Sequence, residues 1–263
     1  MPDKFIIEGG KKLEGEIEVR GSKNAAGALL AATLLTDKEC IIDNLPRVSD
    51  ILNFLAIIEK MGGKVNWLGT HSVSVKCENI DPTKIDFQLV SKARLPVLLI
   101  GALLSRFKSF RMIRPGGDRI GLRPITTHLK AFKDLGVDVS IKGDFYSFNR
   151  KELQGKTIVL SEFSVTATEN VMLGVVLLSH QRTVIKGAAC EPGVQNLMSM
   201  LNKMGAKVKL AGQHLFSIEG VDRLQGAREA VIPDRIEAGT FSIAAALCGG
   251  KVNIAKIEPN HLD

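Results

Sequence analysis

The chain has 263 residues, of which 45% are hydrophobic and 24% charged, a composition that excludes a disordered polypeptide and suffices for one large domain or two ordinary ones. A net charge of +7, with Lys and Arg scattered and only 5% aromatics, favours anionic small-molecule partners over a nucleic-acid surface. Cys40, Cys77, Cys190 and Cys248 form no Cys-x-x-Cys pair, so neither a metal site nor a redox motif is expected. No run approaches the roughly 20 apolar residues of a membrane span, and the charged start lacks a signal-peptide core. The expectation is a cytoplasmic protein with reduced thiols, no membrane partner and no cofactor.

In chain order, GSKNAA lies between a strand and a first helix, AAGALLAATLL, that is apolar nearly all round. Such a helix belongs in the interior. The next helix is amphipathic, with Ile51, Phe54, Leu55, Ile58 and Met61 on one face, and it stops at Gly62 before two short strands. The pattern then recurs. LPVLLIGALL is a second buried helix, followed by the strand FKSFRMIR, the loop IRPGGDRIGLRP and the helix THLKAFKDLG. ATENVMLGVVLL is the third buried helix. It is followed by GVQNLMSMLNKMG, whose Val194, Leu197, Met198, Leu201 and Met204 share a face, and by the alternating strand Lys207–Leu210. Gly62, Gly136 and Gly205 recur about every 70 residues. Each copy reads as strand, buried helix, strand, amphipathic helix, strand, strand. About three and a half copies are expected, the fourth beginning near REAVIPD and holding the buried helix EAGTFSIAAALCGG and the strand KVNIAKI. The fold class is therefore α/β, built of repeated βαβαββ units. The chain is expected to stop within the fourth unit, whose helix then packs on the first strand, on a second copy of the chain through self-association, or on further residues.

Five places invite chemistry. Lys23 and Asn24 stand at a helix N-terminus, where a point charge joins free N–H groups to suit a carboxylate or phosphate; a solvated Lys is the alternative. Arg94 precedes the second apolar helix and needs a partner, which an ion pair would equally supply. In the loop 113–124, Gly116 and Gly117 allow an unusual turn, with Asp118 among Arg114, Arg119 and Arg123. Closure over a substrate would desolvate Asp118 and raise its pKa toward general-acid use; a surface turn is the plain alternative. Ser164, Thr166 and Thr168 are cap candidates for the third buried helix. Asp234, Arg235 and Glu237 open the fourth, as a capping network or part of a cleft. His128 reads as a structural histidine and Cys190 as an inert thiol. The Lys23, Arg94, 162–168 and 234–237 motifs recur at the starts of the buried helices, so their convergence would build an anion site.

Together GSKNAAGALLAATLL, NLPRVSDI, RPGGDRIGLRP, SVTATEN and VIPDRIEAGTF resemble the enolpyruvyl transferases that act on UDP-N-acetylglucosamine. The resemblance implies an inside-out α/β barrel of six such units, three per domain, with the active site between domains. It places one whole domain at about 23–231, and part of a second at 1–22 with 232–263. It also implies transfer of the enolpyruvyl group of phosphoenolpyruvate to the 3-hydroxyl of UDP-N-acetylglucosamine with loss of phosphate, in peptidoglycan synthesis. Lys23, Asn24, Arg94 and Arg123 then match substrate-binding positions, with Lys23 and Arg123 also serving catalysis. Pro124, Ile125, Thr126, Thr127, Ser164, Val165 and Thr166 match positions that hold the nucleotide. Asp50, Asp234, Arg235 and Glu237 match the cleft between domains. Asp118 stands where the family usually has the Cys that protonates the methylene carbon, and an Asp there forms no thioether with fosfomycin. Thr126, Glu162 and Thr166 depart from a usual Asp, Lys and Gly, at the uridine end of the site. Full activity is expected to need further residues of the second domain. The alternative is a relative that binds only sugar nucleotide or a protein partner, without catalysis.

Overall fold

The computed structural model describes residues 4–117, 120–121 and 123–262. The first set comprises β1 (Leu13–Glu18), α1 (Lys23–Thr33), β2 (Glu39–Asp43), α2 (Ser49–Lys60), β3 (Lys64–Gly69) and β4 (Ser72–Lys76). A second set comprises α3 (Phe87–Val90), α4 (Leu99–Arg106), β5 (Ser109–Ile113), α5 (Thr126–Asp134), β6 (Val137–Lys142) and β7 (Phe145–Arg150). The third comprises β8 (Thr157–Val159), α6 (Val165–Val175), β9 (Arg182–Lys186), α7 (Pro192–Lys203), β10 (Lys207–Gly212) and β11 (Leu215–Glu219). β12 (Arg228–Ala230), α8 (Arg235–Cys248) and β13 (Gly250–Ala255) follow.

The three sets form three sheets, in the orders β12-β2-β4-β3, β5-β7-β6 and β10-β11-β9-β8, beside a two-stranded sheet of β1 and β13. Within each, the last strand of the set pairs antiparallel with both the strand before it and the strand that follows the buried helix. The amphipathic helices end as the glycines demand: Gly62, Gly136 and Gly205 have φ of +102°, +101° and +100°, a region open to glycine without steric cost. The expected face of α2 is buried throughout, and on α7 Val194, Leu197, Leu201 and Met204 are buried with Met198 packed against them.

The apolar helices occupy the interior, with the sheets outside, so the barrel is inside out. α1 buries every residue from Ala25 to Thr33, and α6 every residue from Ala167 to Val175. α4 lies along α6, with α1 against both. Their approach is close: a side chain on Gly101 would collide with the main-chain carbonyl of Asn170. Asn170 also pins the entry to α4, donating to the Val97 carbonyl at 3.0 Å and accepting from Gly101 N–H at 2.7 Å.

Four expectations change. First, the second set has no leading strand. Asp81 caps the 3-10 turn Pro82–Lys84, and Asp86 accepts from Gln88 and Leu89 N–H to open α3; this turn chemistry overrides extension. Second, Arg228–Ala230 does not begin a fourth unit. It pairs parallel with β2, completing the first sheet, and the Arg228 guanidinium grips Asp43 at 2.6 Å. Third, α8 is not buried: Ala238 alone is, among its described residues, while Ile243 is 63% and Leu247 81% exposed. β1 and β13 pack on it, and they pair parallel from Leu13 with Gly250 to Glu18 with Ala255. The fourth helix therefore lies on the first strand, one of the three anticipated arrangements. Fourth, β10 is an edge strand, and its Leu210 is exposed while Val208 is buried. Among the described residues no helix is long and apolar enough to cross a membrane.

Candidate active site

The site grows from the starts of the buried helices. Ser22 caps α1, its hydroxyl accepting from Ala25 N–H, and so sets Lys23 at the first helical position. Lys23 Nζ is 2.8 Å from Asp50 Oδ2, in the first turn of α2. Ser164 caps α6 in the same way, accepting from Ala167 N–H, which leaves Val165 and Thr166 at that helix's open end. Lys23, Asn24, Asp50, Arg94, Arg123, Val165 and Thr166 all line one cleft of about 300 Å³. Residues remote in the chain are thus gathered at the helix N-termini, the arrangement that suits an anion.

Arg94 makes no ion pair among the described residues. Its guanidinium donates instead to the carbonyls of Arg123, at 2.7 Å, and Pro124, at 3.1 Å. Burial, and then the nearby charge of Arg123, pulls the pKa of Arg94 below its usual value. On the near side of the loop, Gly116 packs so closely on Ser91 that a side chain would collide with the Ser91 carbonyl, and Gly117 has φ of +121°. Asp118 and Arg119 lie outside the described residues. The loop's described ends line a second cleft of about 510 Å³ with Arg94, Pro124, Ile125 and Thr126.

Behind these clefts runs a polar seam between α5 and α6. Thr127 Oγ1 donates to Glu162 Oε1 at 2.8 Å and lies 3.0 Å from Ser161 Oγ. Glu162 therefore engages the protein rather than reaching for a ligand. His128 Nε2 is 2.9 Å from Thr166 Oγ1. The ring is buried, and burial with the charge of Arg94 holds its pKa down at about 4. Its Nδ1 has no partner among the described residues, so the expected satisfied structural histidine is satisfied on one side only.

Asp234 caps α8 by accepting from Ile236 and Glu237 N–H, and Glu237 pairs with Arg20 at 2.7 Å. Asp234 and Arg235 line a cavity of about 70 Å³ beside Asn24, Val165 and Glu191. This cavity adjoins the main cleft through Asn24, Val165 and Glu169, which line both.

Glu169 was not among the sequence candidates. It is 1% exposed, and its pKa is raised well above the ordinary carboxyl value, first by burial and then by Glu191. The available signal was an acid on an otherwise apolar helix, the same signal that marked Arg94. Cys190 is half-buried and lines neither cleft.

The EPSP synthase (3-phosphoshikimate 1-carboxyvinyltransferase) family matches residues 7–263. The UDP-N-acetylglucosamine 1-carboxyvinyltransferase of Endomicrobium trichonymphae is 46% identical over 99% of this chain and 62% of its own. Enzyme 3 of that name from Caldanaerobacter subterraneus subsp. tengcongensis is 41% identical, with the same coverage. The chain thus spans about three-fifths of the length of these curated relatives. Among solved structures, the enolpyruvyl transferase NikO from Streptomyces tendae superposes with a TM-score of 0.83 at 22% identity, over 94% of this chain and 59% of that one. EPSP synthase from Acinetobacter baumannii superposes with a TM-score of 0.71 at 19% identity, over 96% and 58%. The chain belongs to the EPSP synthase family of enolpyruvyl (1-carboxyvinyl) transferases.

Proposed function

We propose that this protein transfers the enolpyruvyl group of phosphoenolpyruvate to the 3-hydroxyl of UDP-N-acetylglucosamine, releasing phosphate, as a cytoplasmic enzyme of peptidoglycan synthesis. The observation that carries the reading is the gathering of Lys23, Arg94 and Arg123 around one cleft at the α1 and α6 N-termini. The names of the relatives support the choice of acceptor.

In this reading Lys23 and Arg123 neutralise the carboxylate and phosphate of phosphoenolpyruvate, and Arg94 fixes the strand of loop that carries Arg123. Asn24 and the main-chain N–H groups at the start of α6 supply fixed donors, which cost no reorganisation as charge develops. Asp118 gives its proton to the methylene carbon while the sugar hydroxyl attacks the adjacent carbon, forming a tetrahedral intermediate. Loss of phosphate, which carries off the hydroxyl proton, and return of a methyl proton to the protein then restore the enol ether. Thr126, Val165 and Thr166 hold the nucleotide, while behind them Thr127 ties α5 to Ser161 and Glu162 and Ser164 caps α6. Asp50 from the first domain and Asp234, Arg235 and Glu237 from the second line the cleft between domains.

The division into 23–231 and 1–22 with 232–263 belongs to the same proposal. It is supported by β12, which completes the first sheet, and by α8, whose sheet partners are β1 and β13. The test is UDP-N-acetylglucosamine-dependent release of phosphate from phosphoenolpyruvate by the protein expressed from its own reading frame. Absence of that dependence would refute the assigned acceptor.

A further inference from the structure

Thr168, Glu169 and Asn170 are consecutive and wholly buried on α6. Two of the three have clear structural work. Thr168 donates to the Ser164 carbonyl at 2.8 Å and accepts from Ala189 N–H at 2.9 Å. Asn170 holds Val97 and Gly101. Glu169, between them, makes no hydrogen bond or ion pair among the described residues, yet it lines both the main cleft and the adjoining cavity.

The cations of the main cleft do not account for it. Lys23 is engaged with Asp50, and Arg94 spends its donors on the loop carbonyls. Glu191 lines the adjoining cavity with it, and the Glu191 Oε2 is itself buried without a partner among the described residues. An unpaired buried carboxylate is costly enough that the group keeps its proton instead. A protonated carboxyl is a hydrogen-bond donor, and this one adjoins a cleft otherwise lined for an anion.

We propose that Glu169 is a ligand-binding residue of this cleft, presenting an O–H donor to a hydroxyl or carbonyl oxygen of the bound sugar. The inference rests on the reading of the site as one for a sugar nucleotide. It predicts that the donor matters and the charge does not. Glu169→Gln keeps an N–H donor in place of the O–H. Glu169→Leu fills the space without one, and should not lower stability, because replacing an unpartnered buried polar group by an apolar one is neutral or favourable.

The experiment is calorimetric titration of the parent chain and both variants with UDP-N-acetylglucosamine and with UMP, which lacks the N-acetylglucosamine and its phosphate. The expected result is UDP-N-acetylglucosamine affinity within about threefold of the parent for the Gln variant and at least about tenfold weaker for the Leu variant, the loss of one net hydrogen bond. UMP affinity should be unchanged in both. Equal UDP-N-acetylglucosamine affinity in the Leu variant would overturn the inference alone. So would equal loss for UMP, which would make the role structural. Failure of the parent chain to bind either probe would overturn the sugar-nucleotide reading and the inference with it. If the Leu variant does not fold, Glu169→Met takes its place; failure of both to fold would make the carboxyl structural and overturn the inference.

Discussion

The Arg94 guanidinium donates to the main-chain carbonyl of Arg123 at 2.7 Å, so one cation of the cleft positions the other through its backbone. The second bond, to Pro124 at 3.1 Å, uses the planar fork that only Arg has. Arg94→Lys should therefore lose at least one of the two bonds while keeping the charge. We expect affinity for phosphoenolpyruvate to fall about tenfold, with stability lowered by only about 1 kcal/mol. Calorimetry and thermal melts check the two separately. Affinity as in the parent would show that the charge alone suffices.

Lys23 and Asp50 are partly exposed, and such pairs contribute little to stability, roughly 0–1 kcal/mol. Asp50→Asn should leave the melting temperature nearly unchanged. It should tighten binding of inorganic phosphate about threefold, because an unneutralised Lys23 attracts an anion more strongly. Weaker phosphate binding in this variant would show that Asp50 orients the ammonium rather than masks it.

His128 and Glu169 predict opposite pH trends. The unfolded chain protonates His128 near 6.5 and the folded protein only near 4. The unfolded state thus binds the extra proton in that interval, and folding stability falls with falling pH. The loss reaches about 3 kcal/mol by pH 4, at 1.36 kcal/mol per pH unit. His128→Gln should remove this acid-side slope in denaturant titrations from pH 4 to pH 7. Glu169 works the other way, because its folded pKa is raised. The unfolded chain loses that proton first, so stability declines as pH rises. The advantage of Glu169→Gln over the parent should be larger at pH 8 than at pH 5; an equal advantage at both would show Glu169 ionised in the folded protein.

Asn170→Ala should be among the most damaging core changes. It leaves the buried Gly101 N–H and Val97 carbonyl without their partner, at about 1–3 kcal/mol for each unsatisfied group. A melt lowered by less than the equivalent of about 1 kcal/mol would show that neither bond stabilises the α4–α6 contact.

Much of this architecture was legible because it is local. The periodic apolar faces of α2 and α7, the glycine stops and the caps Ser164 and Asp234 are written within a turn or two of chain. The pairing of β12 with β2 was not, because a parallel contact between Arg228 and Ile41 leaves no mark in either short segment. The missing strand of the second set was hidden by repeat symmetry, which suggested a strand where Asp81, Pro82 and Asp86 impose turns. Glu169 is hidden in the sequence because its neighbours Thr166 and Thr168 suit a helix cap. Burial, not sequence position, separates it from them. Lys23 and Arg94 were legible as charges at helix starts and Arg123 as a charge of the loop, but their meeting in one cleft is a product of the three-unit packing.

The Asp118 assignment has its own consequence. A carboxylate at that position offers no thiolate to open the fosfomycin epoxide, so transfer activity should survive prolonged incubation with fosfomycin. Time-dependent loss of activity would refute the assignment.

The central claim is tested most directly by phosphate release from phosphoenolpyruvate with two acceptors offered in parallel, UDP-N-acetylglucosamine and shikimate 3-phosphate, using the protein expressed from its own reading frame. Release that depends on UDP-N-acetylglucosamine and is absent with shikimate 3-phosphate is the predicted result. Release with shikimate 3-phosphate alone, or with neither acceptor, would contradict it.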